Sequence, residues 1–178
     1  MAFKVQDIRS QLEGGGARPT LFQVTNIAGG GFDAEGAAKL PFMVKAAQLP
    51  GSTLGTIEVP YFGRKIKIAG DRTFAEWTVT VINDEDFKIR NAMEAWSANI
   101  NQHVGNKGVA DYKAEAQIVQ YAKSGAVLRE YTFTGLFPSE ISPVEVSWET
   151  VDAIEEFTVT LQYDWWSVTA GITGLVTA

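Results

Sequence analysis

The chain has 178 residues, of which 46% are hydrophobic and 20% charged, a size and balance typical of one globular domain. Its 15 basic and 21 acidic side chains give a net charge of −6, which argues against tight nonspecific binding of nucleic acid. The absence of cysteine excludes disulfides, thiolate metal sites and cysteine nucleophiles. Neither a signal peptide nor a stretch of roughly 18 apolar residues is evident, so we expect a soluble chain made in the cytoplasm, without membrane insertion.

Short β-strands dominate the predicted structure in chain order. Before them, residues 5–12 carry a weak amphipathic pattern that ends at a glycine run. The strand candidates, chosen by period-2 alternation or by β-branched and aromatic content, are residues 21–25, 42–47, 56–59, 65–68, 77–82, 112–121, 127–136, 144–148 and 157–165. Turns or loops are expected between them at residues 29–41, 49–52, 60–64, 70–71, 99–108 and 123–125.

One substantial helix interrupts these strands. Four apolar side chains recur there at spacings of four, three and four residues, Ile89, Met93, Trp96 and Ile100. Elsewhere strands follow strands without helical crossovers, so the sheets should be mainly antiparallel. The sequence therefore predicts a mainly β fold, an antiparallel β-sandwich or barrel with one flanking α-helix, formed by residues 1–178 as one domain.

An acidic cluster, Asp84-Glu85-Asp86, lies between the strand at 77–82 and this helix. Asn83 or Asp84 stands where an N-cap belongs, and acidic side chains near a helix N-terminus interact favourably with the helix dipole. A Ca²⁺ site is the alternative, but the spacing of an EF-hand loop and its bidentate glutamate are missing. We therefore interpret the cluster as the start of the helix, capped by Asn83 or Asp84.

Two further motifs could have indicated chemistry. Residues 29–34 formally match the dinucleotide-binding pattern G-x-G-x-x-[GA], but Gly36 and Pro41 leave no room for the helix that such a fold needs, which favours a surface loop. His103 is the only histidine and lies in a polar segment without a nucleophile-elbow motif, so a surface histidine is favoured over a catalytic triad. No catalytic, metal or cofactor site is predicted.

Basic side chains concentrate in one stretch, at Arg64, Lys65, Lys67 and Arg72. Alternation puts Lys65 and Lys67 on one strand face, which is either simply solvated or in contact with an acidic patch on a neighbouring subunit. The five tryptophans, Trp77, Trp96, Trp148, Trp165 and Trp166, are mostly core by pattern. Because Trp165 and Trp166 are adjacent on a strand, one of them should face outward, where a partner could cover it.

Several stretches carry a resemblance to a known family. They are YFGRKIKIAGDRTF at residues 61–74, WTVTVIND at 77–84 and FKIRNA at 87–92, supported by the AQLPG turn at 47–51 and the strand at 156–163. Together they resemble the tail tube proteins of contractile-tailed bacteriophages, over about residues 21–165. The N-terminus, the 101–110 loop and the tail carry little of this resemblance.

The resemblance implies a structural virion protein rather than an enzyme. Hexameric rings would stack into the inner tube of a contractile tail, and the genome would pass through this tube into the host without specific DNA binding. Implied partners are other copies of the chain, the tail sheath, baseplate and tail terminator proteins, and a tape measure protein in the lumen. The alternative is the inner tube of a non-phage contractile injection or type VI-like secretion system that delivers protein effectors. An enzyme or small-ligand binder is a third hypothesis, which predicts a monomer with a saturable ligand.

Within this hypothesis, residues can be assigned to surfaces. Expected inter-subunit or inter-ring contacts are Pro50, Gly51, Ser52, Thr53, Leu54, Gly55, Thr56, Arg64, Lys65, Lys67 and Arg72. The terminal segments 1–19 and 167–178 should lie at interfaces or be flexible. Two polar strand faces, one with Thr78 and Thr80 and the other with Thr158, Thr160 and Gln162, are alternatives for the lumen lining.

Overall fold

The computed structural model describes residues 4–102, 105–174 and 176–177, so the predicted surface position of His103 lies outside the described residues. The helices are α1 (Val5–Gln11), α2 (Ala34–Met43), α3 (Lys88–Ile100) and α4 (Val109–Tyr112), with a short 3-10 helix at Glu13–Gly15. The strands are β1 (Phe22–Gly29), β2 (Val44–Ala47), β3 (Ser52–Tyr61), β4 (Arg64–Phe74), β5 (Trp77–Ile82), β6 (Asn101–Gln102), β7 (Gly105–Asn106), β8 (Ala114–Tyr121), β9 (Val127–Ile141), β10 (Glu156–Gln162), β11 (Trp165–Ala170) and β12 (Val176–Thr177).

The long strand β9 organises the body of the fold. Its first half pairs with β8 on one side and β11 on the other, and β8 in turn pairs with β1. Its second half pairs with β10, which continues through β5 to β2. All these pairings are antiparallel, which confirms the predicted mainly β, antiparallel fold. We call β1, β8, the first half of β9, β11 and β12 the outer sheet, and the second half of β9, β10, β5 and β2 the threonine sheet.

A continuous apolar core lies between the two sheets and α2 and α3. Its largest buried side chains include Trp77, Trp96, Phe133, Phe157, Leu40 and Met93. The predicted helical face is confirmed at Ile89, Met93 and Trp96, which are buried on α3. Trp96 also donates its indole N–H to the backbone carbonyl of Tyr112 (2.8 Å), so its one polar atom is satisfied inside the core.

The predicted loop over residues 29–41 is wrong, because most of it is helix α2. Asp33 caps this helix by accepting hydrogen bonds from the N–H groups of Glu35 and Gly36. Gly36 packs so closely on Ala92 of α3 that a Cβ atom would lie 2.8 Å from the alanine methyl, so glycine is required by helix packing here. Pro41 lies in the last turns of the helix, where it removes an N–H group without preventing the preceding turns.

Three other predictions of local structure are wrong. Residues 144–148 do not form a strand, and Trp148 is exposed rather than in the core. The predicted strand 157–165 is split into β10 and β11 at Tyr163 and Asp164. The prediction that one of the two adjacent tryptophans faces outward is confirmed, because Trp165 is exposed and Trp166 packs against the core. Gly70 and Asp71 do not turn the chain. They lie opposite the single residue Gly55 in a β-bulge of the continuous strand β4.

Candidate assembly surfaces

The hairpin formed by β3 and β4 projects from the body of the protein. The two strands pair with each other over their whole length and join neither main sheet. Every residue of β3 is exposed, although a ten-residue strand usually buries at least one face. The hairpin therefore adds little to the core of its own chain.

One face of this hairpin is apolar, and we call it the apolar hairpin face. Ile57 lies opposite Ile68 and Val59 opposite Ile66, and these four side chains remain 42–58% exposed. Cross-strand pairs of β-branched residues stabilise the hairpin itself, but a contiguous apolar surface in water is typical of an interaction site. Sequence reasoning missed this face. The signal in the sequence was the alternation of isoleucine and valine with polar residues in both strands. Within the described part of the folded chain, no second apolar surface covers these side chains.

Lys65 and Lys67 lie on the opposite face, whereas alternation puts Arg64, the partner of Tyr61, on the same face as Ile66. Lys65 donates to Glu58 at 2.7 Å, and Lys67 lies directly opposite Glu58. Among the described residues, no ion pair involves Arg64, Lys67 or Arg72. The hairpin thus presents an apolar face with Arg64 near its tip and lysines on its other side, and the charges of Arg64 and Lys67 are available to a partner.

The base of the hairpin includes the predicted contact segment 50–56. Gly51 accepts a hydrogen bond from the indole N–H of Trp166 (3.4 Å), which ties the start of β3 to β11. Ser52, Thr53 and Leu54 pair with the end of β4, and Gly55 and Thr56 follow at the bulge. The structure thus brings the predicted contact segment and the basic residues together on one projection, along different parts of its length.

The tip of the hairpin is strained and aromatic. Tyr61 pairs with Arg64, which leaves a two-residue turn of Phe62 (φ 41°) and Gly63 (φ 78°). Positive φ at both positions is the geometry that favours Asn-Gly, and a phenylalanine in this region costs about 1–2 kcal/mol. Phe62 nevertheless remains 90% exposed, with its ring contacting only Tyr61 at 4.6 Å among the described aromatic pairs. An exposed, strained aromatic residue points to a role outside the isolated chain.

The two polar strand faces proposed as alternatives are a single face. Thr158 lies opposite Thr80 and Thr160 opposite Thr78, so all four threonines share the half-buried outward face of the threonine sheet. Gln162 extends this face and donates to Glu76 at 2.6 Å.

Charged side chains border this threonine face. Lys45 donates to Glu156 at 2.6 Å, and Glu140 lies opposite Thr160. Together with Glu76, three carboxylates and one ammonium group surround the threonines. This distribution gives the face a mildly anionic character, which repels phosphate groups rather than holding them.

The acidic cluster lies at the far end of β5 from the hairpin. Lys39 of α2 donates to Asp84 (2.6 Å) and to Asp86 (2.5 Å), and Lys88 pairs with Glu35 at 2.9 Å. Hydrogen bonds from Lys39 hold the pKa of Asp84 and of Asp86 below the ordinary range, and the same bonds raise the pKa of Lys39. The cluster is an ion-pair network that fixes α2 against the segment before α3.

The predicted N-cap at Asn83 or Asp84 is wrong, because α3 begins only at Lys88 and its N-cap position is Phe87. Phe87 has a left-handed backbone (φ 51°) and no capping side chain, but Asp86 accepts the first helical N–H, from Lys88, at 3.2 Å. Asn83 is buried and donates its side-chain amide to Glu155 at 2.9 Å. Its role is to hold the end of the loop before β10.

Neither the cavities nor the charged groups form an evident chemical site. A cavity of about 390 Å³ lies between residues 13–18 and the β8–β9 turn, and one of about 440 Å³ lies under residues 143–156. In the described part of the chain, no three histidine, aspartate or glutamate side chains are placed to hold a metal ion. No described helix is long and apolar enough to cross a membrane.

The chain shares its fold with chains of two cryo-EM structures. The chain superimposes on a chain of the cryo-EM structure of the anti-feeding prophage cap, described as a tube-terminating cap, with a TM-score of 0.66 and 18% identity over 87% of this chain and 91% of that one. It also matches a chain of the sheath–tube complex of an extracellular contractile injection system, with a TM-score of 0.58 and 14% identity over 95% and 99% of the two chains. At these identities the likeness defines the fold alone.

Sequence comparison defines the family. Residues 17–169 match the family described as phage tail tube protein, and the chain therefore belongs to that family of structural proteins. It is 37% identical to the tail tube protein gp19 of Enterobacteria phage T4 over 169 residues, which cover 91% of this chain and 98% of that protein. The resemblance to phage tail tube proteins, expected over about residues 21–165, is thereby confirmed.

Proposed function

We propose that this chain forms hexameric rings that stack into the inner tube of a contractile phage tail, through which the genome passes into the host. The observation that carries the proposal is the projecting hairpin of a phage tail tube protein, with an apolar face exposed along both strands. A projection that buries little in its own chain is suited to contact a neighbouring subunit. Contacts at residues 50–56 and at Arg64, Lys65, Lys67 and Arg72 are part of this proposal.

The threonine sheet is the proposed lining of the channel. Its outward face carries short hydroxyl side chains between a few carboxylates, so passing DNA meets neither a cationic trap nor an apolar surface. Thr78, Thr80, Thr158, Thr160 and Gln162 lie on this face and would all point into the lumen.

The two edges of the threonine sheet, unpaired in the ranges that the structure describes, support the proposed closure of the ring. Among the described strands, β2 has a partner only in β5, and residues 137–141 of β9 have a partner only in β10. Unpaired strand edges are sites of strand addition. Pairing β2 of one subunit with β9 of the next would continue the sheet around a closed ring and remove both edges.

The remaining partners follow from this assembly. We propose the sheath, baseplate and tail terminator proteins as external partners and a tape measure protein in the lumen, with synthesis in the host cytoplasm and no enzymatic role or cofactor. Terminal segments 1–19 and 167–178 are proposed to add contacts between subunits. The exposed apolar side chains of α1, Val5 and Ile8, support this role for the N-terminal segment. Use of the same tube by a non-phage injection system remains the second candidate.

Negative-stain electron microscopy of the concentrated chain, beside light scattering, tests the proposal. We expect rings with sixfold symmetry and, at higher concentration, hollow tubes. A variant with Ile66→Ser and Ile68→Ser should remain folded but form no tubes, because the apolar hairpin face is removed without touching the core. Tubes that form equally well from this variant would contradict the proposed role of the hairpin.

A further inference from the structure

We infer that the β9–β10 loop, residues 143–155, is the surface that receives the apolar hairpin face of a second copy of this chain. This inference rests on the proposed function, because it names the partner surface of the same hairpin. Three observations carry it: the position of the loop in the fold, its exposed apolar side chains and its charge.

The loop and the hairpin lie at opposite ends of the same strands. The hairpin enters β5 at Trp77, which pairs with Leu161. The loop enters β10 at Glu156, which pairs with Ile82 at the other end of β5. Two complementary surfaces at opposite ends of one chain give a head-to-tail contact. Each added subunit then leaves one surface free for the next subunit.

Apolar side chains line the loop without a place in the core. Val146, Trp148, Val151 and Ile154 are all at least 71% exposed, and Trp148 has no ring partner among the described aromatic pairs. Four large apolar side chains within nine residues make an exposed patch that needs cover. Contact between the isoleucine and valine side chains of the hairpin and the tryptophan of the loop would remove both apolar surfaces from water.

The charges of the two surfaces are complementary. Residues 52–74 carry four basic and two acidic side chains, whereas residues 143–155 carry four acidic and no basic side chains. Glu145, Glu149 and Asp152 form no ion pair among the described residues, as is also true of Arg64 and Lys67 on the hairpin. Arg64 lies on the apolar hairpin face beside Ile66 and can meet these carboxylates directly, while Lys67 on the other face adds to the positive potential of the hairpin. Opposite charges on the two surfaces orient the contact and disfavour loop-to-loop or hairpin-to-hairpin pairing.

The end of the loop is fixed rather than free to drift. Asn83, itself buried, donates its backbone N–H to the carbonyl of Glu155 at 2.8 Å and its side-chain amide to the Glu155 carboxylate. At the other end of the loop, the carbonyl oxygen of Ser142 accepts a hydrogen bond from the guanidinium of Arg90 on α3 at 3.3 Å. A receiving surface anchored to β5 and α3 keeps its position relative to the hairpin at the opposite end.

Charge reversal tests the pairing. A loop variant, Glu145→Lys with Glu149→Lys, and a hairpin variant, Arg64→Glu with Lys67→Glu, should each weaken self-association by about tenfold or more, because like charges then face each other. Combining the four changes in one chain should restore association. The control, Asp111→Lys with Glu115→Lys, makes the same charge change as the loop variant at two exposed residues outside both surfaces and should associate like the unaltered chain.

Covalent trapping gives an independent measurement that does not require tubes. The chain has no cysteine, so Ile66→Cys on one copy and Trp148→Cys on another supply the only protein thiols. Oxidised glutathione first forms a disulfide with one of these thiols and releases one reduced glutathione; the thiol of the second copy then displaces the other glutathione and links the two chains. The linked products are the intended mixed dimer and dimers of identical copies. We expect this mixed dimer to form about tenfold faster than the dimer between Ile66→Cys and the control Ser124→Cys at the β8–β9 turn. The reason is that association of the two surfaces raises the local concentration of one thiol near the other.

The outcomes separate this inference from the proposed function. One outcome would contradict this pairing alone: the hairpin variant loses association, the loop variant keeps it, and the mixed dimer forms no faster than the control dimer. The tube proposal would then stand. If the unaltered chain forms no rings but the mixed dimer exceeds the control, the pairing stands and the ring proposal fails. Failure of both association and trapping would overturn both.

Discussion

The indole of Trp77 on β5 stacks on the ring of Phe133 on β9, with ring centroids 4.2 Å apart and planes inclined by 23°. Trp77 belongs to the threonine sheet and Phe133 to the outer sheet, and both are buried. Trp77 also donates its indole N–H to the carbonyl of Gln48 at 2.8 Å, just before the hairpin. This contact therefore joins the two sheets and fixes the point from which the hairpin leaves the body.

Replacing Trp77 with alanine should lower the free energy of unfolding by about 3–5 kcal/mol, because a large buried ring is lost and a cavity remains. Urea denaturation followed by circular dichroism measures this loss. The matched control is Trp165→Ala on β11, where the side chain is 52% exposed, and its effect should be about 0.5 kcal/mol or less. Equal effects of the two substitutions would contradict the assignment of Trp77 to the core.

Lys39→Met should make the fold less stable around neutral pH and change its pH dependence. The pKa values of Asp84 and Asp86 are lowered in the fold, so their contribution is present above the ordinary value of 3.8 and is lost as the pH falls through the folded values. The pKa of Lys39 is raised, so its contribution is present below 10.5 and is lost as the pH rises through the folded value.

Thermal melts across pH measure this effect. The difference in Tm between the unaltered chain and Lys39→Met should be largest between those two values and should shrink as the pH falls through the lowered pKa values of the two carboxylates. Lys123→Met, at the exposed β8–β9 turn, removes a lysine that forms no ion pair in the described structure and serves as control. A Tm difference that is constant from acid to neutral pH would show that the ion-pair network does not contribute.

Phe62→Asn should stabilise the isolated hairpin while it abolishes assembly. Asparagine accepts the positive φ of this turn position, so relief of strain should add up to about 1 kcal/mol. Phe62→Trp is the matched variant, since it keeps both the strain and the apolar surface, and it should still assemble. Electron microscopy and thermal melts on both variants check the prediction, and tubes from Phe62→Asn as long as those of the unaltered chain would refute a role for the tip.

Thr158→Lys together with Thr160→Lys should make assembled tubes retain DNA. Both side chains lie on the outward face of the threonine sheet, so the substitutions would line the channel with cations and leave the core unchanged. Co-sedimentation of DNA with tubes should increase at low salt and fall steeply as salt is raised. Ser124→Lys with Ala126→Lys, at an exposed turn, adds the same charge elsewhere. Equal DNA retention by both variants would place the threonine face outside the lumen.

Local periodicity in the sequence correctly predicted the elements that bury one face and expose the other. Apolar side chains recur at every second residue in β5 and β10 and at every third or fourth residue in α3. They do so because each of these elements buries one face in the core. Helix α2 was missed because glycine and proline lower helix propensity, and only its contact with Ala92 explains Gly36. The signal that could have revealed it is Asp33 as a cap before alanine-rich residues.

The candidate surfaces were predictable only in part, because they depend on contacts between distant segments. Alternation placed Thr78 and Thr158 each on a polar face, but only strand pairing shows that these faces are one. Gly70-Asp71 has the composition of a turn, yet pairing with β3 carries the chain through it as a bulge. The position of the 143–155 loop opposite the hairpin depends on the order of β9, β10 and β5, which no local pattern encodes.

The shared strand β9 has a mechanical consequence. Over its 15 residues it is bonded first to β8 and β11 and then to β10. A pull along this strand loads the hydrogen bonds of three neighbours in shear, since antiparallel ladder bonds lie perpendicular to the strand direction. Many bonds must then fail together rather than one after another, so the subunit can transmit thrust from one sheet to the other without peeling apart.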